Sequence, residues 1–266
     1  MDGLYLVGAE FVDVCHRLSI ASSLAVGAGL GFAAASKKLA AKAAPALPRL
    51  YIYDHCPFCV RTRMIFGLKG LPVELVFLAN HDEATPIGLV GAKVVPILET
   101  PSGLVMPESM DIVRYVDANY GEKVILAEAD ATRADLKAWI KDSAECMRYL
   151  YHPRFHATLF AEFAAQASRD YYKTKKEKTI GSFEDAIANS AAYVAQLNAF
   201  LVQLEPMLQK PHSVNETLSY DDIDLFGRLR GLTIVQGVTW PPKVREYIEY
   251  MSKVSDIPLL DTLARF

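Results

Sequence analysis

Cys56 and Cys59 stand two residues apart in Cys56-Pro57-Phe58-Cys59, a spacing at which two thiols can close a small disulfide ring. At the start of a helix the first of them lies where backbone N–H groups and the helix dipole favour an anion, so Cys56 is expected to be a thiolate nucleophile. Pro57 suits the first helical turn, because its ring presets φ and its missing N–H would have had no intrahelical partner. Cys59, one turn further in, is expected to be deeper. That asymmetry divides the labour: an exposed Cys56 attacks a disulfide, and Cys59 resolves the mixed disulfide that results. A four-cysteine metal site would require a second close pair, which Cys15 and Cys146 do not form, and no metal is expected. Cys146 reads as a small core residue of an amphipathic helix, and Cys15 has no assigned chemistry.

The polar neighbours of the dithiol read more plainly. Arg61 and Arg63 could steady a thiolate or meet a carboxylate, but their pattern is that of a solvated helix face. His55 reads as an exposed flanking histidine, with a proton relay as the sharper alternative. Lys173, Lys175, Lys176 and Lys178, beside Tyr171 and Tyr172, read as a solvated helix end and not as a nucleic-acid patch.

These side chains must be held by regular elements. Leu50-Tyr51-Ile52-Tyr53 is a short β-branched and aromatic run that reads as a strand. Val60, Met64, Ile65 and Leu68 then mark one helical face, stopped at Gly70 and Pro72. Residues 73–78 read as a second strand, residues near 83–91 as a short helix, residues 94–98 as a third strand containing Pro96, and residues 104–106 as its antiparallel partner across the turn at Pro101-Ser102-Gly103. Ser109 is expected to cap a further helix, with Asp111 in its first turn and Gly121 at its end. Beyond residue 128 only helical spacing recurs, over 136–149, 155–172 and 183–208. A capping box at Ser219 and Asp222 opens a helix expected to run to Gln236, and a last helix covers 244–254. The fold class is therefore α/β followed by all-α: an α/β layer with one antiparallel hairpin over 50–122, which the resemblance given below implies is a thioredoxin-like domain, a linker over 123–131 and a helical domain over 132–266.

The chain has 266 residues and is 52% hydrophobic, enough for a full core, and its 28 basic and 31 acidic residues leave a formal charge of -3. No global field draws it to nucleic acid or anionic lipid, and a small uncharged or zwitterionic partner fits better. Few, unevenly spaced cysteines point to a reducing compartment, the cytoplasm. Residues 1–49 differ: the stretch 18–36 is uncharged and rich in Ala, Gly and Ser, and reads as a loosely ordered leader, with organelle targeting or a membrane anchor as alternatives.

The run Tyr51-Ile52-Tyr53-Asp54-His55-Cys56-Pro57-Phe58-Cys59, continued by Arg63-Met64-Ile65-Phe66-Gly67-Leu68-Lys69, resembles the glutaredoxin 2 family, large glutaredoxins built like glutathione transferases. The likeness extends through Val95-Pro96-Ile97-Leu98, Met106-Pro107-Glu108-Ser109-Met110-Asp111, Leu218-Ser219-Tyr220-Asp221-Asp222-Ile223 and Trp240-Pro241, and so covers residues 50–262. The resemblance implies glutathione as co-substrate, with glutathionylated or disulfide-containing proteins as partners and a monomer as the working form. It implies a cis Pro96 that turns the Val95 backbone toward Cys56 to pair with the cysteinyl part of glutathione, and Ser109 and Glu108 holding the γ-glutamyl end. Phe58 stands where the family often has Tyr, leaving an aromatic wall without a hydroxyl. The implied activity is glutathione-dependent thiol–disulfide exchange in cellular redox homeostasis, with a dithiol potential of about -200 to -230 mV. A glutathione transferase or dehydroascorbate reductase on the same architecture is the competing reading, and a membrane-associated, channel-like scaffold a more distant one.

Overall fold

The computed structural model describes residues 46–264. The leader over 1–45, with Cys15 and the apolar stretch 18–36, lies outside the described residues.

Four strands form one mixed sheet in the order β2-β1-β3-β4, from β1 (Arg49–Ile52), β2 (Glu74–Phe77), β3 (Ile97–Glu99) and β4 (Val105–Met106). β1 and β2 run parallel with Leu50 opposite Leu75, as the crossover helix α1 (Pro57–Leu68) between them requires. β3 is antiparallel to β1, with Leu50 opposite Leu98, and β4 closes the hairpin with Met106 opposite Leu98. α2 (Ala84–Val90) ends on Gly91 in the left-handed conformation, and α3 (Ser109–Asn119) packs against α1. Leu50, Ile52, Met64, Ile65, Ile97, Leu98, Ile112 and Val116 are fully buried and form the core of this layer.

The strand expected over 94–98 begins only at Ile97. Val95–Pro96 is a cis peptide, as the family resemblance implied, and Pro96 has no N–H to give to a ladder. The expected cap at Ser109 is also displaced by one residue. Glu108 takes the N-cap position at φ 72°, a left-handed backbone in which its own side chain makes no capping bond, so Ser109 becomes the first helical residue.

Helices alone follow among the described residues from Ala134 onward: α4 (Ala134–Ala157), α5 (Gln166–Ile180), α6 (Phe183–Ala188), α7 (Ser190–Leu204), α8 (Tyr220–Arg230) and α9 (Pro242–Ser255). α4 runs eight residues past the expected stop at Tyr149, straight through Pro153. Proline there forfeits one backbone bond, while Leu150 and Phe155 on either side of it stay fully buried. The expected helix over 155–172 is broken by a 3-10 turn at Ala161–Phe163, and that over 183–208 splits into α6, α7 and a 3-10 turn at Glu205–Met207. At α8 the Ser219–Asp222 capping box is present as expected, but the α-helix ends at Arg230 and tightens into 3-10 over Gly231–Ile234.

The two layers meet on α1. Gly67 lies so close to the end of α9 that a Cβ there would sit 1.8 Å from the Ser255 carbonyl oxygen, and a Cβ on Gly227 of α8 would sit 2.8 Å from the Pro57 carbonyl. Glycine at both positions lets α8 and α9 grip α1 backbone to backbone, at its first turn and at its last.

Candidate active site

β1 delivers the chain into the loop Tyr53-Asp54-His55, and Cys56 then takes the N-cap position of α1 with extended φ and ψ of -75° and 121°. Pro57 opens the helix, so the expected placement holds. Cys56 is 9% exposed and Cys59 0%: the order of depth is as expected, but Cys56 shows only an edge of its sulfur to a cavity and not a free surface. Both thiols are reduced.

The first turn tunes the pair in opposite directions. A hydrogen bond from the Cys59 thiol holds Cys56 below the ordinary thiol range, to about 6, against the opposing effect of burial. The charge of His55 and the backbone N–H groups of Cys59 and Phe58 act in the same direction as Cys59. Burial, together with that same bond, pushes Cys59 well up, although the Tyr53 N–H donates to its sulfur at 3.4 Å. One acidic, accessible sulfur backed by one protonated, buried sulfur is the arrangement a nucleophile and its resolving partner need.

The helical layer grips the residues before the dithiol. His55, expected to be exposed, is 8% exposed, in a cage of Tyr53, Phe155, Phe160, Phe163 and Tyr172. Its N–H and its Nδ1 meet the same Glu162 Oε1, at 3.0 and 2.6 Å. Burial alone would raise the Glu162 carboxyl, yet the bonds and charge of His55 hold it below the usual carboxylate range. Asp54 in turn accepts from Arg230 of α8, at 2.7 Å on its carbonyl and 3.0 Å on its carboxylate, and from Arg63 at 2.6 Å. Arg61 is buried, donates to the Ser109 hydroxyl at 3.2 Å, pairs with Asp224 and stacks its guanidinium 4.6 Å from the Phe58 ring centroid. Neither arginine is part of a solvated face. Arg61 reaches Ser109 and Asp224, far away in sequence, and Arg63 turns back to Asp54 in the loop before the helix, neither of which helical periodicity reveals.

A cavity of about 580 Å³ opens over Cys56 between the two layers. Cys56, Pro57, Phe58 and Val95 line it; Cys59, Pro96, Glu108 and Ser109 do not. Phe58 is 48% exposed at its edge. Ser109 is buried under Arg61, and Glu108 beside it is exposed. The expected glutathione residues Cys56, Pro57, Phe58 and Val95 thus fall in the cavity wall, and Ser109 is linked to Phe58 of that wall through Arg61. The far wall comes from the helical layer, with Met147, Tyr151, Phe155, Tyr172 and Lys176. Lys176, expected at a solvated helix end, turns inward over the Tyr172 ring. Cys146 is a core residue as expected, its thiol pushed up to about 11 by burial. Among the described residues no cluster of three or more His, Cys, Asp or Glu is placed to hold a metal ion, and no helix is long and apolar enough to cross a membrane.

A dithiol at the N-terminus of a helix, beside a cis-proline loop and under a helical layer, defines a thioredoxin-fold protein with a glutathione-transferase-type second domain. Comparison with known proteins agrees. Residues 50–124 match the glutathione S-transferase N-terminal domain, and residues 135–264 the C-terminal domain of glutaredoxin 2. Glutaredoxin 2 of Escherichia coli K12 is 43% identical over 216 residues, 81% of this chain and 99% of its own. The crystal structure of Salmonella typhimurium glutaredoxin 2 in complex with glutathione superposes with a TM-score of 0.78 at 44% identity, covering 82% of this chain and 99% of that one. A Ceriporiopsis subvermispora glutathione S-transferase shares the fold at 18% identity and a TM-score of 0.65, over 80% and 99% of the two chains. The chain belongs to the glutaredoxin 2 family of glutathione-dependent oxidoreductases.

Proposed function

We propose that this chain reduces protein–glutathione mixed disulfides, with Cys56 as nucleophile and glutathione as co-substrate. The Cys56 thiolate attacks the glutathione sulfur of R–S–SG; the R–S bond to that sulfur breaks, the thiolate R–S⁻ leaves and takes a proton from water, and Cys56–S–SG forms. A second glutathione, losing its thiol proton, attacks that bond and departs as glutathione disulfide, which returns Cys56 as thiolate. The net change is R–S–SG + GSH → R–SH + GSSG, with one free glutathione thiol oxidised for each substrate thiol released. For protein disulfides, Cys56 forms a mixed disulfide with one protein sulfur, Cys59 attacks Cys56 in that bond and releases the reduced protein, and two glutathiones reduce the Cys56–Cys59 disulfide, leaving as glutathione disulfide.

The observation that carries this reading is the opposed tuning of the two sulfurs, acidic at the cavity and protonated behind it. Conjugation chemistry has no use for Cys59. In the working arrangement Val95 pairs with the cysteinyl backbone of glutathione, Phe58 and Pro57 wall it, and Glu108 and Ser109 take the γ-glutamyl end, with Arg61 orienting the Ser109 hydroxyl. We assign residues 50–122 to the dithiol domain, 123–131 to the linker and 132–266 to the helical domain, with a monomer in the cytoplasm as the working form.

Turnover of a glutathionylated peptide by the wild type, Cys56→Ser and Cys59→Ser decides the matter. Cys56→Ser should abolish it and Cys59→Ser should leave most of it. Equal loss in both would overturn the division of labour, and conjugation of an electrophile without disulfide reduction would return the chain to the transferases.

A further inference from the structure

The charged side chains that line the cavity are of one sign only. Lys93, Arg148, Lys175, Lys176 and Arg228 line the cavity and no Asp or Glu does, although the chain as a whole is slightly acidic. Three of the five cations are engaged. Arg228 pairs with Asp224 at 3.0 Å, Lys175 lies 3.8 Å from Glu83, and Lys93 donates to the backbone carbonyls of Asn80 and Asp82. The side chains of Arg148 of α4 and Lys176 of α5 have no hydrogen-bond or ion-pair partner among the described residues, Lys176 meeting only the Tyr172 ring. Lys176 is held below the usual ammonium range by burial, with the Cys56 sulfur acting the other way.

Partly buried cations left without anions are costly to keep unless something that visits the site repays them. In the exchange proposed above, the glutathionyl half lies along Val95 and Phe58, which leaves the departing or incoming thiol the rest of the cavity lining, Arg148 and Lys176 included, with Lys176 in electrostatic reach of Cys56. Met147, Tyr151 and Phe155 line the same cavity.

Resting on that reading of the reaction, we infer that Arg148 and Lys176 form a subsite for the second thiol, and that it selects small anionic thiols: R–S–SG is taken in preference where R carries a carboxylate a few bonds from its sulfur. The bond changes are those already given; R–S⁻ leaves and is protonated by water, and its carboxylate remains against the two cations as it departs.

The test compares mixed disulfides of glutathione with 3-mercaptopropionate, 2-mercaptoethanol and cysteamine, which differ chiefly in charge. The wild type should favour the anionic over the cationic substrate by about tenfold in kcat/KM, as expected for two charges acting through a partly screened cavity. In Arg148→Gln/Lys176→Gln that ratio should fall toward unity, and raising the salt concentration should lower it in the wild type without any substitution. Equal rates on all three substrates in the wild type, or a ratio that survives the double substitution, would overturn the subsite. So would a double variant that slows all three alike while shifting the pH profile of Cys56 alkylation, since the cations would then be serving the thiolate. If none of the three substrates turns over, the oxidoreductase reading itself fails.

Discussion

Glu162 reaches from a 3-10 turn in the helical layer to the residue before the nucleophile, and one of its carboxylate oxygens receives both the backbone N–H and the Nδ1 of His55. The Glu162 carbonyl accepts from the Asn80 N–H at 2.9 Å, so the turn is pinned to the dithiol layer by backbone as well. A carboxylate 0% exposed fixes a ring whose charge helps to hold Cys56 acidic.

His55→Gln keeps a donor toward Glu162 and removes that charge. The midpoint for Cys56 alkylation should rise by about one pH unit, the size of a single near-neighbour charge effect. Rates of iodoacetamide labelling across pH would read it; an unmoved midpoint would show that the ring serves packing alone.

In the wild type the same profile should be half-maximal near pH 6. The sign follows from the depressed thiol: Cys56 remains thiolate from neutral pH down to that region and loses reactivity only as pH falls through it. Cys59→Ala removes the largest cause of the depression and should move the midpoint toward the free-cysteine value of about 8.5. If the midpoint stays near 6 in Cys59→Ala, the sulfur–sulfur bond is not what acidifies Cys56.

Gly67→Ala forces a methyl onto the Ser255 carbonyl, where only backbone movement gives relief. A loss of about 1–3 kcal/mol is expected, or a Tm lower by roughly 2–4 °C for each kcal/mol. Gly227→Ala presses less hard, but on Pro57, so kcat/KM should fall more than Tm does. Calorimetry beside steady-state kinetics separates the two, and the reverse order would deny α8 a part in placing the dithiol.

Arg230→Met strips the buried guanidinium from Asp54 and leaves that carboxylate to Arg63 alone. Breaking a buried pair on one side costs about 3–5 kcal/mol, which chemical denaturation should report. A loss below ~1 kcal/mol would mark the pair as surface-like.

The legible parts of the molecule were local. Strand, CxxC and helix start lie within a dozen residues, and their spacing carries the chemistry; the Ser219–Asp222 box likewise declares itself over four positions. The resemblance to a known family supplied the cis bond at Pro96, while helical spacing of apolar residues had already marked the second domain. What escaped was decided at long range. His55 and Glu162 are 107 residues apart, Arg61 and Asp224 163, and Asp54 and Arg230 176, so no window of sequence shows that these polar side chains are buried in pairs. α4 continues through Pro153 past the end that apolar spacing gave at Tyr149 for a related reason, since the packing that outweighs a proline comes from elsewhere in the chain. Glu108 is the opposite case: a residue with φ 72° leaves no mark on composition, and it moved the start of α3 by one position.

The tie between Asp54 and Arg230 bears on what the tetrapeptide Cys-Pro-Phe-Cys is worth by itself. Grafting those four residues onto another scaffold would carry across the Cys59 bond and the backbone N–H groups that acidify Cys56, but leave behind the His55 charge and the moorings to α8 and the Glu162 turn.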